Sequence, residues 1–342
     1  MKSVKRNSII ILILTIGMLV FMMRKDYKNI AYWLVNSNKL FILIAIVVFS
    51  LSLFIDSYSF HLLVKQYTNK YNFKKTLQLN IMTKFFNGIT PLSSGGQPLQ
   101  IYELHKNGVR VNDGTNIIMQ FFIVFQIGLV SISSVMIVLN NFLHIFEKNP
   151  LLKKLTIIGY CLNVLGLLLF IFVSFNKRFN IKICKIIIRF LHKIKIVKNK
   201  DEQIEKWTIR CTEFYESALK FRKNPSVLIK SSLLQVAQLI LLYSVPLFIA
   251  YSIKDSSKIN LFNSIAASSY IFLIGCYVPI PGGTGGMEFG FMGMFKHILR
   301  KSSVTAATIL WRFVTYYLPV IVGGVIFNVT RRTKHKDLEK AW

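Results

Sequence analysis

Arg312 stands in the run Ala306-Ala307-Thr308-Ile309-Leu310-Trp311-Arg312-Phe313-Val314, part of a long apolar stretch. A charge in such surroundings costs roughly 3 kcal/mol or more in a bilayer unless it is paired or hydrated. Two carboxylates are candidate complements. Glu288 follows the tip Val278-Pro279-Ile280-Pro281-Gly282-Gly283-Thr284-Gly285-Gly286, and Glu103 follows Thr90-Pro91-Leu92-Ser93-Ser94-Gly95-Gly96-Gln97-Pro98. One reading makes Glu288 and Arg312 a buried structural ion pair. The other makes them the wall of a charged cavity for a zwitterionic or anionic headgroup. The tips divide in the same way. Pro-Gly turns often only end helices, but bare N–H groups at broken helix ends also bind phosphate. On the binding reading, Gly95, Gly96, Gln97, Gly282, Gly283, Gly285 and Gly286 join Glu103, Glu288 and Arg312 as candidate substrate-binding residues. Two tips at corresponding places, each followed by a glutamate, are more specific than a lone Gly-Gly. Asp56, at the end of an apolar run, is expected at the membrane–water interface.

Familiar catalytic patterns do not occur in the sequence. It has no G-x-S-x-G, H-E-x-x-H, Walker A or strand-linked G-x-G-x-x-G pattern. His61, His105, His144, His192, His297 and His335 are far apart, without ligand spacing. Cys161, Cys184, Cys211 and Cys276 form no C-x-x-C pair and read as two membrane-embedded and two interfacial thiols. No catalytic residue, metal site or cofactor is expected.

The elements that must carry these residues follow from hydropathy. Of 342 residues 53% are hydrophobic and only 17% charged, and 40–55 and 156–175 hold no Lys, Arg, Asp or Glu. Runs of that length suit a hydrocarbon core of about 30 Å. The expected class is an all-α polytopic integral membrane protein with a single transmembrane domain over 1–342. Six crossings are clear, at 8–23, 40–60, 115–139, 155–175, 227–253 and 304–329. The first resembles a signal peptide, but Arg24-Lys25 closes it without a small-residue cleavage site, so it is expected to be retained. Two further apolar regions, 76–104 and 261–299, contain the Pro/Gly tips. No uninterrupted helix can cross either, because Pro lacks a donor and Gly weakens a helix.

The net charge of +29 would suggest a nucleic acid partner in a soluble protein. Here the basic residues lie between apolar spans, where positive-inside bias and anionic lipid headgroups explain them more simply than tRNA. Residues 176–226 hold fourteen Lys/Arg against five Asp/Glu and are expected to form a basic cytoplasmic loop. Within it Lys182, Lys185, Arg189 and Lys193 recur at helical steps among Ile183, Ile187, Phe190 and Ile194. That pattern fits either an interfacial helix facing lipid phosphates or a solvated connector. With the N-terminus, this loop and the basic tail 331–342 all cytoplasmic, parity closes 76–104 on the inner side and 261–299 on the outer side. Such opposed excursions are the pattern of re-entrant units in inverted-repeat transporters, although 261–299 is also long enough for two crossings.

The two tips also carry a family resemblance. Thr90–Tyr102 and Pro279–Glu288 resemble the paired motifs of the lysylphosphatidylglycerol synthase/flippase transmembrane-domain family, and Arg312 matches an arginine of its last helix. The likeness runs from the first helix to the basic tail. It implies a flippase-like membrane domain that moves an anionic or aminoacylated phospholipid such as lysylphosphatidylglycerol, or another phosphorylated lipid, between leaflets of the cell membrane. Arg312 and the tip amides would hold phosphate, with Glu103 and Glu288 balancing a cationic headgroup. In full-length members, the multiple peptide resistance factors, a soluble domain transfers lysine from lysyl-tRNA to phosphatidylglycerol. The alternative implied is therefore a phosphatidylglycerol lysyltransferase, or the membrane partner of a soluble aminoacyltransferase. This chain is expected to correspond to the membrane part alone.

Overall fold

The computed structural model of the chain describes residues 32–143, 150–194, 199–255, 258–275, 278–300 and 302–339. Among them are twelve α-helices and no strand. The first half runs α1 (Lys39–Val64), α2 (Phe73–Gly88), α3 (Gly96–Lys106) and α4 (Val111–Leu143). Then come α5 (Pro150–Phe175), α6 (Lys177–Lys193) and α7 (Lys200–Lys223). The second half runs α8 (Pro225–Ser252), α9 (Leu261–Gly275), α10 (Gly286–Phe295), α11 (Val304–Arg312) and α12 (Leu318–Glu339). A π-helical turn over Phe313–Tyr317 joins α11 to α12.

Five segments are long and apolar enough to cross a membrane: α1, α4, α5, α8 and the continuous Val304–Thr330. They coincide with five of the six expected crossings. The expected helix over 8–23 lies outside the described residues. Polar side chains set the boundaries of the elements. Asn38 caps α1 by accepting the Leu40 N–H, and Asn72 caps α2 by accepting the Lys75 N–H, each satisfying a donor left open at a helix start.

The helices α1 and α8 form an antiparallel central pair. The Asn38 N–H bonds to the Ser252 carbonyl at one end, the Ser59 and Ser231 hydroxyls cross to each other's backbone towards the other, and Gln235 reaches Asp56 between them. Small serine side chains let the two backbones approach closely, as membrane helices without a hydrophobic driving force require.

Each half then folds a broken unit against its central helix. In the first, α2 runs back along α1: His61 meets Thr76 at 2.9 Å, and Asn80 and Lys84 both donate to Asp56. Gly88, the last residue of α2, has reached the level of Phe49 in the middle of α1, with which it lines one cavity. The chain turns through Pro91–Ser93 and α3 carries it back, so that Lys75 donates to Asn107 at 3.4 Å. The second unit is closed at its base by Asp255, which accepts the Arg300 N–H at 2.7 Å and the Ser303 hydroxyl. Both units therefore leave and return at one end. Region 261–299 holds helices of 15 and 10 residues, each shorter than the roughly 20 a crossing takes, which favours a re-entrant hairpin over two crossings.

The tips share a backbone register. Pro91 and Pro281 each open a three-residue 3-10 turn, and the same interval leads on to the helix starts at Gly96 and Gly286. The left-handed conformation also recurs: Leu92 and Ser93 have φ of 53° and 52°, Gly282 and Gly283 of 64° and 62°. Glycine adopts this without strain, whereas Leu92 and Ser93 each carry a cost of roughly 1–2 kcal/mol. With α1 and α8 antiparallel, this shared register makes the halves an inverted repeat.

The expected basic loop at 176–226 is in fact two helices, α6 and α7. They sit at the end where the first unit is based, since α7 holds the start of α4 through Ser217 to Asp113 at 2.7 Å and Asn116 to the Phe214 carbonyl. The Cys184 and Cys211 thiols meet between α6 and α7, 2.6 Å apart. The Cys211 thiol is pushed up to about 12, first by burial and then by its contact with Cys184.

Opposed bases give the first expected result. Cysteines replacing Lys75 and Lys106 should react with an impermeant maleimide from one side of sealed vesicles, and those replacing Lys258 and Lys296 from the other. Reaction of Lys106→Cys and Lys258→Cys from the same side would break the inverted repeat.

Candidate functional site

The two tips touch at mid-depth beside a half-open cavity of about 270 Å³. Its walls come from both halves: Lys84, Asn87 and Gly88 of α2, Gln238 of α8, Gly282 and Gly283 of the second tip, and Arg312 and Tyr316. Most of the remaining surface is apolar, including Phe49, Leu53, Leu242, Phe272 and Trp311.

Arg312 is 4% exposed, and its Nε donates to Glu288 Oε1 at 2.6 Å. Its Nη2 donates to the Gly282 carbonyl at 2.9 Å, and its guanidinium lies 4.5 Å from the centre of the Tyr316 ring. Glu288 is bound on its other side as well, where Oε2 accepts the Gly285 N–H at 2.7 Å and caps α10. A buried ion pair is tolerable only when further hydrogen bonds satisfy its remaining atoms, and these do so on the carboxylate side. On the guanidinium side more N–H groups exist than the two hydrogen bonds just given. Tyr316 extends the arrangement to the first half, donating from its hydroxyl to the Gly88 carbonyl at 3.0 Å. The π turn lies here, directly after Arg312, and π turns within α-helices concentrate at functional sites.

A second ion pair faces the cavity from the other half. Asp56, buried within α1, accepts from Lys84 Nζ at 3.0 Å, Asn80 at 3.0 Å and Gln235 at 3.0 Å. Asp56 is buried among the helices instead of solvated, since α1 continues to Val64. The Lys84 side chain is 33% exposed, which makes it the accessible cation of the two pairs. Gln238 Oε1, buried and lining the same cavity, has no partner among the described residues. An orphaned acceptor beside a cation and a guanidinium leaves the cavity unfinished in hydrogen-bonding terms, as a polar ligand site requires.

The expected site residues divide. Glu288, Arg312, Gly282 and Gly283 come together at the cavity. Gly285 and Gly286 stand behind them at the start of α10. The tip amides, expected to be bare, are largely occupied. The Gly95 N–H is taken by the Thr90 hydroxyl, the Gly96 N–H by Asn87 Oδ1 and the Gly285 N–H by Glu288. Side chains close these tips, which leaves Lys84 and Arg312 as the cations that line the cavity. Gln97 is exposed and Glu103 lies on α3 close to Tyr71, and neither is among the cavity's lining residues. Lys84, Asn87, Gln238, Tyr316 and Asp56 were not anticipated as site residues. An Asp and a Lys in otherwise apolar segments were the available signal for two of them.

Opposed broken-helix units, meeting over a half-open cavity lined by the cations of two ion pairs, define an integral membrane protein of the inverted-repeat type. Residues 8–323 match the family described as the lysylphosphatidylglycerol synthase TM region, and the chain belongs to that family. It is also similar to two uncharacterized proteins. The MG306 homolog of Mycoplasma pneumoniae is 22% identical over 262 residues, covering 72% of this chain and 66% of the relative. MG306 of Mycoplasma genitalium is 23% identical over 269 residues, covering 74% and 68%. The chain thus spans about two thirds of the length of these relatives.

Proposed function

We propose that this chain is a lipid translocase that passes the headgroup of a phosphorylated lipid through the cavity between the two tips. The observation that carries this reading is the junction itself, where a cation from each half, Lys84 and Arg312, lines one apolar-walled space at mid-depth. A phosphate there would accept charge-assisted hydrogen bonds from Lys84 and from the remaining Arg312 N–H groups, the strongest kind available to it. Asp56 and Glu288 hold those cations in place and cancel their charge, so the empty cavity is neutral. An anionic phospholipid would add negative charge. An aminoacylated one such as lysylphosphatidylglycerol would bring its own cation, and the family supports that class of cargo. Acyl chains need not enter, since they can follow in the surrounding lipid.

The Lys and Arg of α6 and α7, with Lys70, Lys74, Lys75 and Lys106 at the same end, support a cytoplasmic orientation of that end in the cell membrane by the positive-inside rule. The family description also favours a second reading, phosphatidylglycerol lysyltransferase or a membrane partner of one. One experiment separates the two. The purified chain alone, in proteoliposomes holding fluorescent phosphatidylglycerol or lysylphosphatidylglycerol, should raise the rate at which outer-leaflet dithionite or an impermeant amine reagent reaches inner-leaflet lipid. Vesicles showing no rise above protein-free controls would defeat the translocase. Formation of lysylphosphatidylglycerol from lysyl-tRNA and phosphatidylglycerol would establish the transferase.

A further inference from the structure

The helix α6 follows the membrane-spanning α5 after a single residue, Asn176, and the corner is pinned. Asn176 Oδ1 accepts the Phe179 N–H at 3.0 Å, Asn180 donates to the Val173 carbonyl at 3.1 Å, and the Phe172 and Phe179 rings pack at 5.9 Å. With no linker, α6 begins at the depth where α5 leaves the hydrocarbon, which is the headgroup layer.

Its side chains sort onto three faces. Asn180, Cys184 and Ile188 turn inward, with Cys184 meeting Cys211 of α7. A second face is apolar and has no partner among the described residues: Ile186, Ile187, Phe190 and Ile194 keep 47–61% of their surface exposed. The third carries Arg178, Lys182, Lys185 and Arg189 along one side of the same helix. A solvated connector needs no row of exposed isoleucines, and a soluble helix would bury them. An apolar stripe flanked by a basic one is the signature of a helix lying in a membrane surface. Lys and Arg stems can cover apolar surface while their charges reach outward to phosphate.

We infer that α6 is an interfacial anchor whose apolar stripe enters the acyl boundary of the adjacent leaflet while its basic stripe binds the phosphates of anionic lipids. The anchor acts on the first broken unit through α7. Ser217 of α7 donates to Asp113, Tyr67 donates to the Ser217 carbonyl at 2.9 Å, and Asn116 of α4 donates to the Phe214 carbonyl. Anionic lipid held by α6 therefore fixes the depth of the first unit's base, leaving the second unit to move against it. This inference is independent of the translocase reading, and its test has no transport readout.

The test uses the intact chain, its native cysteines replaced by serine or alanine, with an environment-sensitive fluorophore on Phe190→Cys or Lys182→Cys. The protein is reconstituted in phosphatidylcholine bilayers with or without phosphatidylglycerol. Brominated acyl chains should quench the probe at 190 several-fold more than the probe at 182. Phosphatidylglycerol should deepen the difference. The triple variant Lys182→Gln/Lys185→Gln/Arg189→Gln, read from the probe at 190, should remove the phosphatidylglycerol dependence while keeping the quenching by lipid. Lys182→Arg/Lys185→Arg should preserve both, which guards against a merely unfolded variant. Aqueous iodide reaching position 190 freely, with no quenching by lipid, would overturn the anchor. Quenching indifferent to phosphatidylglycerol and to the triple variant would overturn phosphate binding. Protection of position 190 only on adding tRNA would replace the lipid surface with a polyanion.

Discussion

The double variant Arg312→Gln/Glu288→Gln is expected to recover the abundance lost in either single variant and to remain inactive in lipid movement. Each single change leaves one charge buried without its partner, which costs about 3–5 kcal/mol in proteins of known stability. Arg312→Gln strands the Glu288 carboxylate, and Glu288→Gln strands a guanidinium that is almost wholly enclosed. Changing both removes both orphan charges. A glutamine at 288 can still accept the Gly285 N–H and keep the α10 cap. Activity should follow a different rule. If phosphate passes over Arg312, losing its charge-assisted hydrogen bond removes about 1.5–3 kcal/mol, or roughly ten- to a hundred-fold in rate. Fluorescence-detected size exclusion and the leaflet assay, run on the three variants in parallel, measure the two quantities. Transport restored along with abundance would make the pair purely structural and leave Lys84 as the remaining cation of the site.

A methyl group added at Gly282 should be nearly as damaging, for steric reasons. The new Cβ would run into the edge of the Tyr316 ring and lie 2.5 Å from its hydroxyl. The ring cannot step aside freely, because its hydroxyl holds the Gly88 carbonyl and its face meets Arg312. Gly282 also has φ of 64°, where an alanine costs roughly 1–2 kcal/mol before any clash. Overpacking adds about 1–3 kcal/mol. Gly282→Ala should therefore lower the melting temperature and abolish translocation. Gly166→Ala in α5 has no atom within 4 Å of its Cβ and should leave both intact. An active, stable Gly282→Ala protein would show that the tips need not touch.

Both sites were reachable from the sequence to different degrees. The helix breaks and the Glu288–Arg312 pair were legible because Pro, Gly and charge are costly in apolar spans, and cost leaves a mark in composition. Parity placed both units as closed excursions, and the ties at Asn107 and Asp255 agree with it. The burial of Asp56 was missed for a reason of length. Hydropathy sees where apolar residues thin out, but α1 runs on to Val64 by burying its serines and His61 against neighbouring helices. Thr90 and Asn87 hid in plain view. Their filling of the Gly95 and Gly96 amides depends on side-chain direction across a turn, which spacing alone does not specify. Glu103 was paired with Glu288 by proximity to a tip. The backbone register instead aligns Glu288 with Pro98, and the first half supplies its carboxylate from Asp56 on a different helix.

The shared register of the tips has a bearing on time as well as on shape. Two copies of one fold, inserted in opposite senses, need not hold the same posture at the same moment. Here they do not: Tyr316 clasps Gly88 of the first unit, while the counterpart α9 meets α4 through Tyr270 and the Met136 carbonyl, well away from its own tip. Were each copy to take the other's posture, the molecule would reach a second state related to the first by the inverted repeat. The Tyr316–Gly88 clasp is one neutral hydrogen bond of about 0.5–1.5 kcal/mol, set within a wider contact of α2 with α12 that includes Phe86 against Phe327, and all of that contact belongs to the present posture.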